Sequence, residues 1–315
     1  MERLKISPRR TSLRGRPVQA LPNVQITDVL SITMPLINRM KVEEKSDKTI
    51  TSYVRSVERL VRFHDMVHPR DMDIDEVLDF LVHCKEQRQI NWRTSKMYVA
   101  GLRYYWTHML GDEEFASKIP YPKEHPSLPK ILSREELTNL FDSCNNVKHR
   151  VMFRLIYSAG LRRSELIHLK LHDIETQDGK MRIRVNKGKG KKDRYTVLST
   201  SVLEELRAYF KKYRPRVYLF NGRKKGQRIS EAAIRHALED ARKRSGITKD
   251  VTMHVLRHCF ATHCLEHGMY IKRLQELLGH TSLNTTLIYL QVSQTPHKPD
   301  FSPLDIWEDA GKEKI

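Results

Sequence analysis

Four prolines between residues 111 and 131 divide this chain of 315 residues into two parts. A proline lacks the backbone N–H donor of a helix and clashes with the preceding turn, so no helix can run through this stretch. The length of the chain suits two domains of ordinary size. We therefore predict a basic N-terminal arm (1–25), a first domain (26–112), a linker (113–132), a second domain (133–292) and a C-terminal tail (293–315).

The first part has the apolar periodicity of helices. Apolar residues recur every three or four positions after Asp47, and similar patterns begin at Asp75 and at Thr94. The aromatic residues on these stripes fit a helical core. Basic residues off the stripes are a solvated face in most proteins, but two of them are candidate DNA contacts, Arg93 and Lys96.

The second part combines helices with one strand-rich insert. Ser133 and Glu136 form a capping-box pattern that starts the domain, and helices are predicted near 201–213, 230–244, 254–267, 270–278 and 282–290. Residues 180–185 and 194–198 are predicted as two strands joined by a basic, glycine-bearing turn. The fold class is therefore mainly α with a small antiparallel β-hairpin or sheet.

Charge points to a polyanionic partner. The formal net charge is +19, and residues 207–228 contain nine Lys or Arg and no acidic residue. Nucleic acid is the usual partner of such a surplus, although a solvated surface would look the same. Further candidate DNA contacts lie in the hairpin region: Lys187, Lys191, Lys192 and Arg194.

Cysteine usage and hydropathy exclude several other classes. The four cysteines form no CxxC pair, so neither a disulfide framework nor a zinc site is expected, and no acidic cluster has metal-ligand spacing. No apolar run approaches the roughly 20 residues that span a bilayer. We expect a cytoplasmic protein with no metal, no cofactor and no membrane partner.

One set of side chains has the chemistry of DNA strand cleavage. This reaction needs a nucleophile, cations around the non-bridging phosphate oxygens and an acid for the departing oxygen. The second part supplies suitable groups in order: Arg162, Lys189, His254, Arg257, His280 and Tyr289. Taken singly, each has an ordinary alternative, such as a salt bridge of Arg162 with Glu165 or burial of Tyr289 in an apolar core.

Together these residues resemble the tyrosine recombinase (phage integrase) family. The motifs GLRRSEL, GKGKKDR, HVLRHCFATH, LLGH and TTLIYLQV occur in the family's order, and 254–289 is similar to Xer-type recombinases over nearly its whole length. The resemblance covers about 28–292. It implies a helical, SAM-like core-binding domain followed by a catalytic domain that together clamp DNA.

The resemblance also implies a role for each residue. Tyr289 would attack the scissile phosphate, and Arg162 and Arg257 would hold its non-bridging oxygens. Lys189 would protonate the departing 5′ oxygen. His254 would assist proton transfer, His280 would hydrogen-bond the phosphate, and Glu165 would support these groups from behind.

Partners follow from the same resemblance. We expect double-stranded DNA carrying paired inverted binding sites, and a homotetramer on two sites that is monomeric or weakly associated without DNA. The tail would dock on a neighbouring subunit through Leu304, Ile306 and Trp307, or fold back on its own domain.

The biological role stays open at this stage. We favour integration, excision or transposition of a bacterial mobile element by a nucleoid-associated, integron-type or small integrase. Xer-type chromosome dimer resolution, a type IB topoisomerase and a non-catalytic DNA-binding protein are the alternatives.

Overall fold

The computed structural model describes residues 29–125, 128–177, 179–186, 193–224 and 226–293. The chain divides into two compact units, 1–126 and 127–315. The predicted arm and nearly all of the predicted tail lie outside the described residues. So do four lysines of the hairpin region, namely Lys187, Lys189, Lys191 and Lys192.

Among its described residues, the first unit contains five α-helices. They are α1 (Leu30–Val42), α2 (Asp47–Phe63), α3 (Ile74–Glu86), α4 (Trp92–Tyr105) and α5 (Glu113–Lys118). The predicted helices are confirmed, but each begins one or more residues away from the expected residue. The side chains of Ser46, Asp73 and Asn91 cap α2, α3 and α4 by accepting backbone N–H bonds.

Close packing of α2 against α4 organises the core of this unit. A Cβ atom on Gly101 would lie 2.2 Å from Ser56 Oγ and 2.9 Å from Tyr53 Cα, so only glycine permits this approach. Tyr98 and Tyr105 are buried in the same core. The prediction that these aromatic residues are structural is confirmed.

Helix α5 lies inside the range that we predicted as linker. Asp112 caps it by accepting from the N–H of Phe115, and Ala116 and Ile119 are buried in the core of the first unit. The prolines begin only at Pro120. The segment before them is therefore free to form one short helix, and the linker is shorter than predicted.

The second unit contains eight α-helices and a three-stranded antiparallel sheet among the described residues. The helices are α6 (Arg134–Asp142), α7 (Val147–Ala159), α8 (Arg163–His168), α9 (Thr200–Tyr213), α10 (Glu231–Arg244), α11 (Met253–Glu266), α12 (Ile271–Leu278) and α13 (Asn284–Leu287). The strands are β1 (Ile174–Glu175), β2 (Arg182–Val185) and β3 (Arg194–Val197), in the order β1-β2-β3. The capping box at Ser133 and the pairing of β2 with β3 confirm the prediction.

Two elements differ from the predictions. The sequence reading missed β1, which has only two residues and too little pattern to detect. The predicted helix over 282–290 was too long: α13 ends at Leu287, and the N–H groups of Tyr289 and Leu290 bond carbonyls three residues back. The β-branched Thr285, Thr286 and Ile288 disfavour a longer helix.

Two left-handed glycines shape the region that holds the predicted site. Gly160 (φ 60°) ends α7, and a Cβ atom there would lie 2.4 Å from the Phe260 ring. Gly279 (φ 62°) ends α12, and a Cβ atom there would lie 2.7 Å from Arg194 Cδ. Left-handed backbone and close contact together require glycine at both turns.

Candidate active site

Three arginines converge on the C-terminal end of α12. Arg194 Nε donates to Leu277 O at 2.9 Å, Arg257 Nη2 to Leu278 O at 2.7 Å, and Arg162 Nη2 to Gly279 O at 2.8 Å. The last carbonyls of a helix lack partners within the helix, and its C-terminal end carries partial negative charge. The C-terminal end of α12 therefore binds cationic side chains favourably.

Glu165 is the anion that joins these arginines. Its Oε1 accepts from Arg162 Nη1 at 2.8 Å and from Arg194 Nη1 at 2.7 Å. Its Oε2 accepts from Arg194 Nη2 at 2.9 Å and from the Arg162 backbone N–H at 2.8 Å, and Arg257 Nη1 lies 3.8 Å away. We call Arg162, Arg194, Arg257, Glu165 and the three carbonyls the arginine cradle.

The charges inside the cradle set the ionisation of Glu165 and Arg257. Burial raises the pKa of Glu165, but hydrogen bonds and charge from Arg194 and Arg162 outweigh it, so the pKa is lowered. Burial and the neighbouring Arg162 lower the pKa of Arg257. Arginine keeps its charge even so, and the three cations with one carboxylate leave a net positive cradle for an anion.

Arg257 and Arg162 differ in exposure. The Arg257 side chain is 1% exposed and also donates to Gly160 O at 2.6 Å, so its guanidinium is fixed by the backbone on two sides. The Arg162 side chain is 21% exposed. An anion arriving from solvent would meet Arg162 first.

His280 has a defined protonation state in this arrangement. Arg257 Nη2 can only donate, so His280 Nε2, 3.1 Å away, must accept. The ring proton then lies on Nδ1, which contacts Thr286 Oγ1 at 2.9 Å. Burial and the charges of Arg257 and Arg162 lower the pKa of His280 to about 3, which agrees with a neutral ring.

Tyr289 is buried beside this site and belongs to the same hydrophobic cluster as Phe260 and Leu278. The residue is 2% exposed. Its ring lies nearly parallel to that of His280, with centroids 6.4 Å apart. Burial raises the pKa of Tyr289, and the charges of Arg257 and Arg162 oppose that rise.

The hydroxyl of Tyr289 contacts a histidine that sequence reasoning missed. Its oxygen lies 2.9 Å from His258 Nδ1, while the expected His254 lies one turn earlier on α11 and is exposed. The two histidine rings are 4.3 Å apart, edge to face. Their spacing of four residues on one helix was the available signal.

Three further residues with supporting roles carried no signal of their own. The sequence does not predict Thr286 as a site residue, because a threonine in an apolar run has no distinctive pattern. Arg194 was assigned to DNA contact, but its side chain is 11% exposed and faces Glu165 and Leu277. That placement favours a role of Arg194 inside the site over a surface phosphate contact. The third residue is Gln275, which supports His280 by donating to its backbone carbonyl at 3.0 Å.

The remaining predicted residues are placed outside this cluster or are not described. Arg93 is exposed on α4 with its guanidinium over the Trp92 ring, and Lys96 pairs with Glu124. Lys189 lies outside the described residues. Within the described part of the chain, no three His, Cys, Asp or Glu side chains form a group that could hold a metal ion, and no helix is long and apolar enough to cross a membrane.

Comparison with known proteins decides the family. Residues 130–295 match the phage integrase family, and residues 35–114 match the phage integrase N-terminal SAM-like domain. This chain belongs to the phage integrase family. It is a tyrosine recombinase of the Xer-like kind, an enzyme that cleaves and rejoins DNA.

Individual relatives span most of the chain. A protein of Sinorhizobium fredii named as an integrase/recombinase (y4qK) is 35% identical over 268 residues, which are 85% of this chain and 86% of that protein. Tyrosine recombinase XerA of Thermococcus kodakarensis is 35% identical over 259 residues, 81% of this chain and 88% of that protein. The matched part of this recombinase spans most of the length of both relatives.

A solved structure shares the fold. A lambda integrase tetramer bound to a Holliday junction matches with a TM-score of 0.68 and 16% identity, and the match covers 87% of this chain and 80% of that chain. The predicted fold class, a helical SAM-like domain and a mainly helical catalytic domain, is confirmed by these matches.

Proposed function

We propose that this recombinase cuts DNA through Tyr289, with Arg162 and Arg257 as the phosphate clamp and His254 and His280 as assisting groups. The observation that carries the proposal is the convergence of two arginines, a neutral histidine and a tyrosine at the C-terminal end of α12. Glu165 links the arginines from behind, in the supporting position that the family resemblance assigns to it.

The proposed reaction is a transesterification. The Tyr289 oxygen forms a bond to the phosphorus, the bond from phosphorus to the 5′ oxygen breaks, and a 3′-phosphotyrosine results. The charge that builds on the non-bridging oxygens is stabilised by Arg162 and Arg257. We assign Lys189 as the acid that protonates the departing 5′ oxygen, on the family resemblance.

The reaction requires neither a metal ion nor a nucleotide. The phosphotyrosine bond conserves the energy of the broken phosphodiester, so a 5′ hydroxyl of another strand can reverse the step. The buried, internally bonded Arg257 provides the fixed positive charge that a metal ion supplies in other phosphoryl transfer enzymes.

Double-stranded DNA with paired inverted sites is the proposed substrate, bound by a homotetramer on two sites. The net charge of +19 supports a DNA partner. Integration, excision or transposition of a mobile element is the proposed role, supported by the similarity to the integrase/recombinase of Sinorhizobium fredii. We place the enzyme in the cytoplasm of a bacterium, beside the nucleoid.

Covalent trapping tests the chemistry without a known target. The full chain would be incubated with a pool of duplexes of random sequence that carry a 5′-bridging phosphorothiolate, whose departing thiolate cannot religate efficiently. Sequencing of the DNA that stays bound after denaturation would identify both the site and the cut position. Peptide mapping should find the phosphodiester on Tyr289.

Tyr289→Phe is the matched control, because it removes only the hydroxyl. It should bind the recovered duplex as the wild type does but form no covalent complex. A covalent complex that persists in Tyr289→Phe would show that another residue is the nucleophile.

Chromosome dimer resolution is the second candidate, favoured by the 35% identity to XerA of Thermococcus kodakarensis. The recovered site discriminates between the two roles. A site at the ends of a mobile element supports the first role, and a single chromosomal site near the replication terminus supports the second.

A further inference from the structure

Arg194 is the arginine of the cradle that the family resemblance leaves without a role. It begins β3, and all three of its guanidinium nitrogens donate within the protein. Two bonds go to the two oxygens of Glu165, at 2.7 and 2.9 Å, and one goes to Leu277 O at 2.9 Å. A planar guanidinium on a carboxylate in this bidentate form holds the carboxylate in one orientation.

Glu165 needs such a partner because it has several competing ones. Arg162 Nη1 shares Oε1 with Arg194, and Arg257 Nη1 lies 3.8 Å from Oε2. Without Arg194, the carboxylate could turn toward Arg257 and draw Arg162 away from Gly279 O. Phosphoryl transfer depends on placing charge to within a fraction of an ångström, so such a turn would slow the reaction.

The bonding of Arg194 separates this role from DNA binding. Each of its three guanidinium nitrogens already donates to Glu165 or to Leu277 O, and its side chain is 11% exposed. Arg194 also lies against Gly279, where even a Cβ atom would come within 2.7 Å of its Cδ. The turn after α12 is thus shaped to admit this side chain.

We infer that Arg194 is a positioning residue of the cleavage reaction: it fixes the Glu165 carboxylate, and Glu165 in turn fixes Arg162 at the phosphate site. The inference rests on the proposed function for the identity of the reaction. Arg194 acts on the rate of cleavage in the bound complex and contributes little to DNA affinity.

The test compares Arg194→Gln and Arg194→Lys with wild type on the duplex recovered by covalent trapping, with an ordinary phosphate and a nick beside the cut position. Single-turnover cleavage by saturating protein should fall about 100-fold for Arg194→Gln and about 10-fold for Arg194→Lys. The lysine keeps the charge but cannot contact both oxygens of Glu165 and Leu277 O together. The dissociation constant should change less than about threefold, with an unchanged salt slope.

Arg242→Gln is the matched control. Arg242 makes the same pattern elsewhere, donating to both oxygens of Glu239 at 2.7 and 2.9 Å and to Ile247 O at 2.7 Å. Its loss should leave the cleavage rate within about twofold of wild type, since it lies outside the cradle.

A second substrate separates positioning of Arg162 from proton donation. A 5′-bridging phosphorothiolate needs no acid for its leaving group, so it should rescue Lys189→Ala but not Arg194→Gln. Full rescue of Arg194→Gln would overturn the inference, because the residue would then act on the acid. A weaker dissociation constant and a salt slope lower by about one, with a normal bound-state rate, would also overturn it in favour of a phosphate contact.

A measurement without DNA keeps the inference separate from the proposed function. Thermal unfolding of Arg194→Gln, Glu165→Gln and the double variant forms a double-mutant cycle. We expect the double variant to melt no lower than the less stable single variant, and additive losses would contradict the coupling. If wild type forms no covalent complex on any duplex, the proposed function fails while this cycle still decides whether Arg194 and Glu165 act together.

Discussion

The arginine cradle and the segment that carries Tyr289 are held by different kinds of contact. In the cradle, each arginine bonds a backbone carbonyl at the end of α12 and shares the carboxylate of Glu165. The segment 284–293, which carries the proposed nucleophile, has one helical turn, and only Thr286 and Tyr289 are buried in it. Its polar links to the rest of the site are the contacts of Thr286 with His280 and of Tyr289 with His258.

This difference shows which part of the site is built before DNA arrives. The cradle is preorganised, because its charges are already oriented by hydrogen bonds to Glu165 and to backbone carbonyls and need no rearrangement when a phosphate binds. The Tyr289 hydroxyl is buried on His258, so in the proposed reaction the segment 284–293 would have to shift before Tyr289 attacks a duplex phosphate.

The largest combined effect on cleavage and stability is expected from removing one member of the cradle. Arg257→Gln should lower single-turnover cleavage by about 1,000-fold and also destabilise the second unit by about 3 kcal/mol, because buried carbonyls and Glu165 lose a charged partner. Tyr289→Phe should abolish cleavage yet shift the unfolding midpoint by less than about 2 °C. If Arg257→Gln and Tyr289→Phe have the same free energy of unfolding, the cradle and the segment 284–293 do not differ in their contribution to stability.

Gly160→Ala tests the backbone that supports the cradle. The substitution places a Cβ atom 2.4 Å from the Phe260 ring at a left-handed position whose carbonyl accepts from Arg257. We expect a loss of about 2–3 kcal/mol in the free energy of unfolding by chemical denaturation.

The matched control for Gly160 is Gly179→Ala. Gly179 also has a left-handed backbone (φ 70°), but nothing lies within 4 Å of an added Cβ atom. It should lose only the strain of the left-handed backbone, about 1 kcal/mol. A loss at Gly160 no greater than this would mean that the Phe260 contact relaxes freely.

Thr286→Val tests the link between the two regions. Valine keeps the shape of threonine but cannot accept from His280 Nδ1, so the ring loses the acceptor for its Nδ1 proton. We expect cleavage to fall about tenfold and the free energy of unfolding to fall by about 1 kcal/mol. Thr286→Ser should retain most of the cleavage rate, and a serine variant as slow as valine would assign the loss to packing.

The smallest expected effect is a pH dependence of stability. Burial, followed by the charges of neighbouring groups, lowers the pKa of His258 to about 4. An unfolded histidine titrates near pH 6.5, so below that pH His258 binds a proton in the unfolded chain but stays neutral in the folded protein. Stability should therefore be complete above about pH 6.5 and be lost as the pH falls toward 4.

Thermal unfolding checks this sign. The wild-type midpoint should drop by about 3–6 °C between pH 7 and pH 5, and His258→Asn, which does not titrate, should drop by less. An identical pH dependence in the variant would show that His258 does not cause the loss of stability at low pH. Retained cleavage by His258→Asn would also show that the imidazole of His258 is not required beside Tyr289.

Much of the fold could be predicted from local signals. Apolar periodicity marked α2 and α4, the capping box marked the start of α6, and a basic turn between β-rich runs marked the pairing of β2 with β3. Short elements escaped because they have too few residues for a period, as with β1 and α5. The end of α13 was not predicted correctly, because helical and non-helical conformations have nearly equal free energy near a helix terminus.

The order and identity of the reactive side chains were determined by the sequence itself, since motif spacing along the chain is a local property. The sequence alone was enough to name one set of candidate site residues: Arg162, His254, Arg257, His280 and Tyr289. Only the tertiary structure decided what each of them touches. The end of α12 gathers three arginines from separate elements, Arg194 bonds Glu165, and His258, which was not predicted, contacts the Tyr289 hydroxyl. The physical reason is that these contacts join residues far apart in the chain, and their geometry depends on packing that no local pattern encodes.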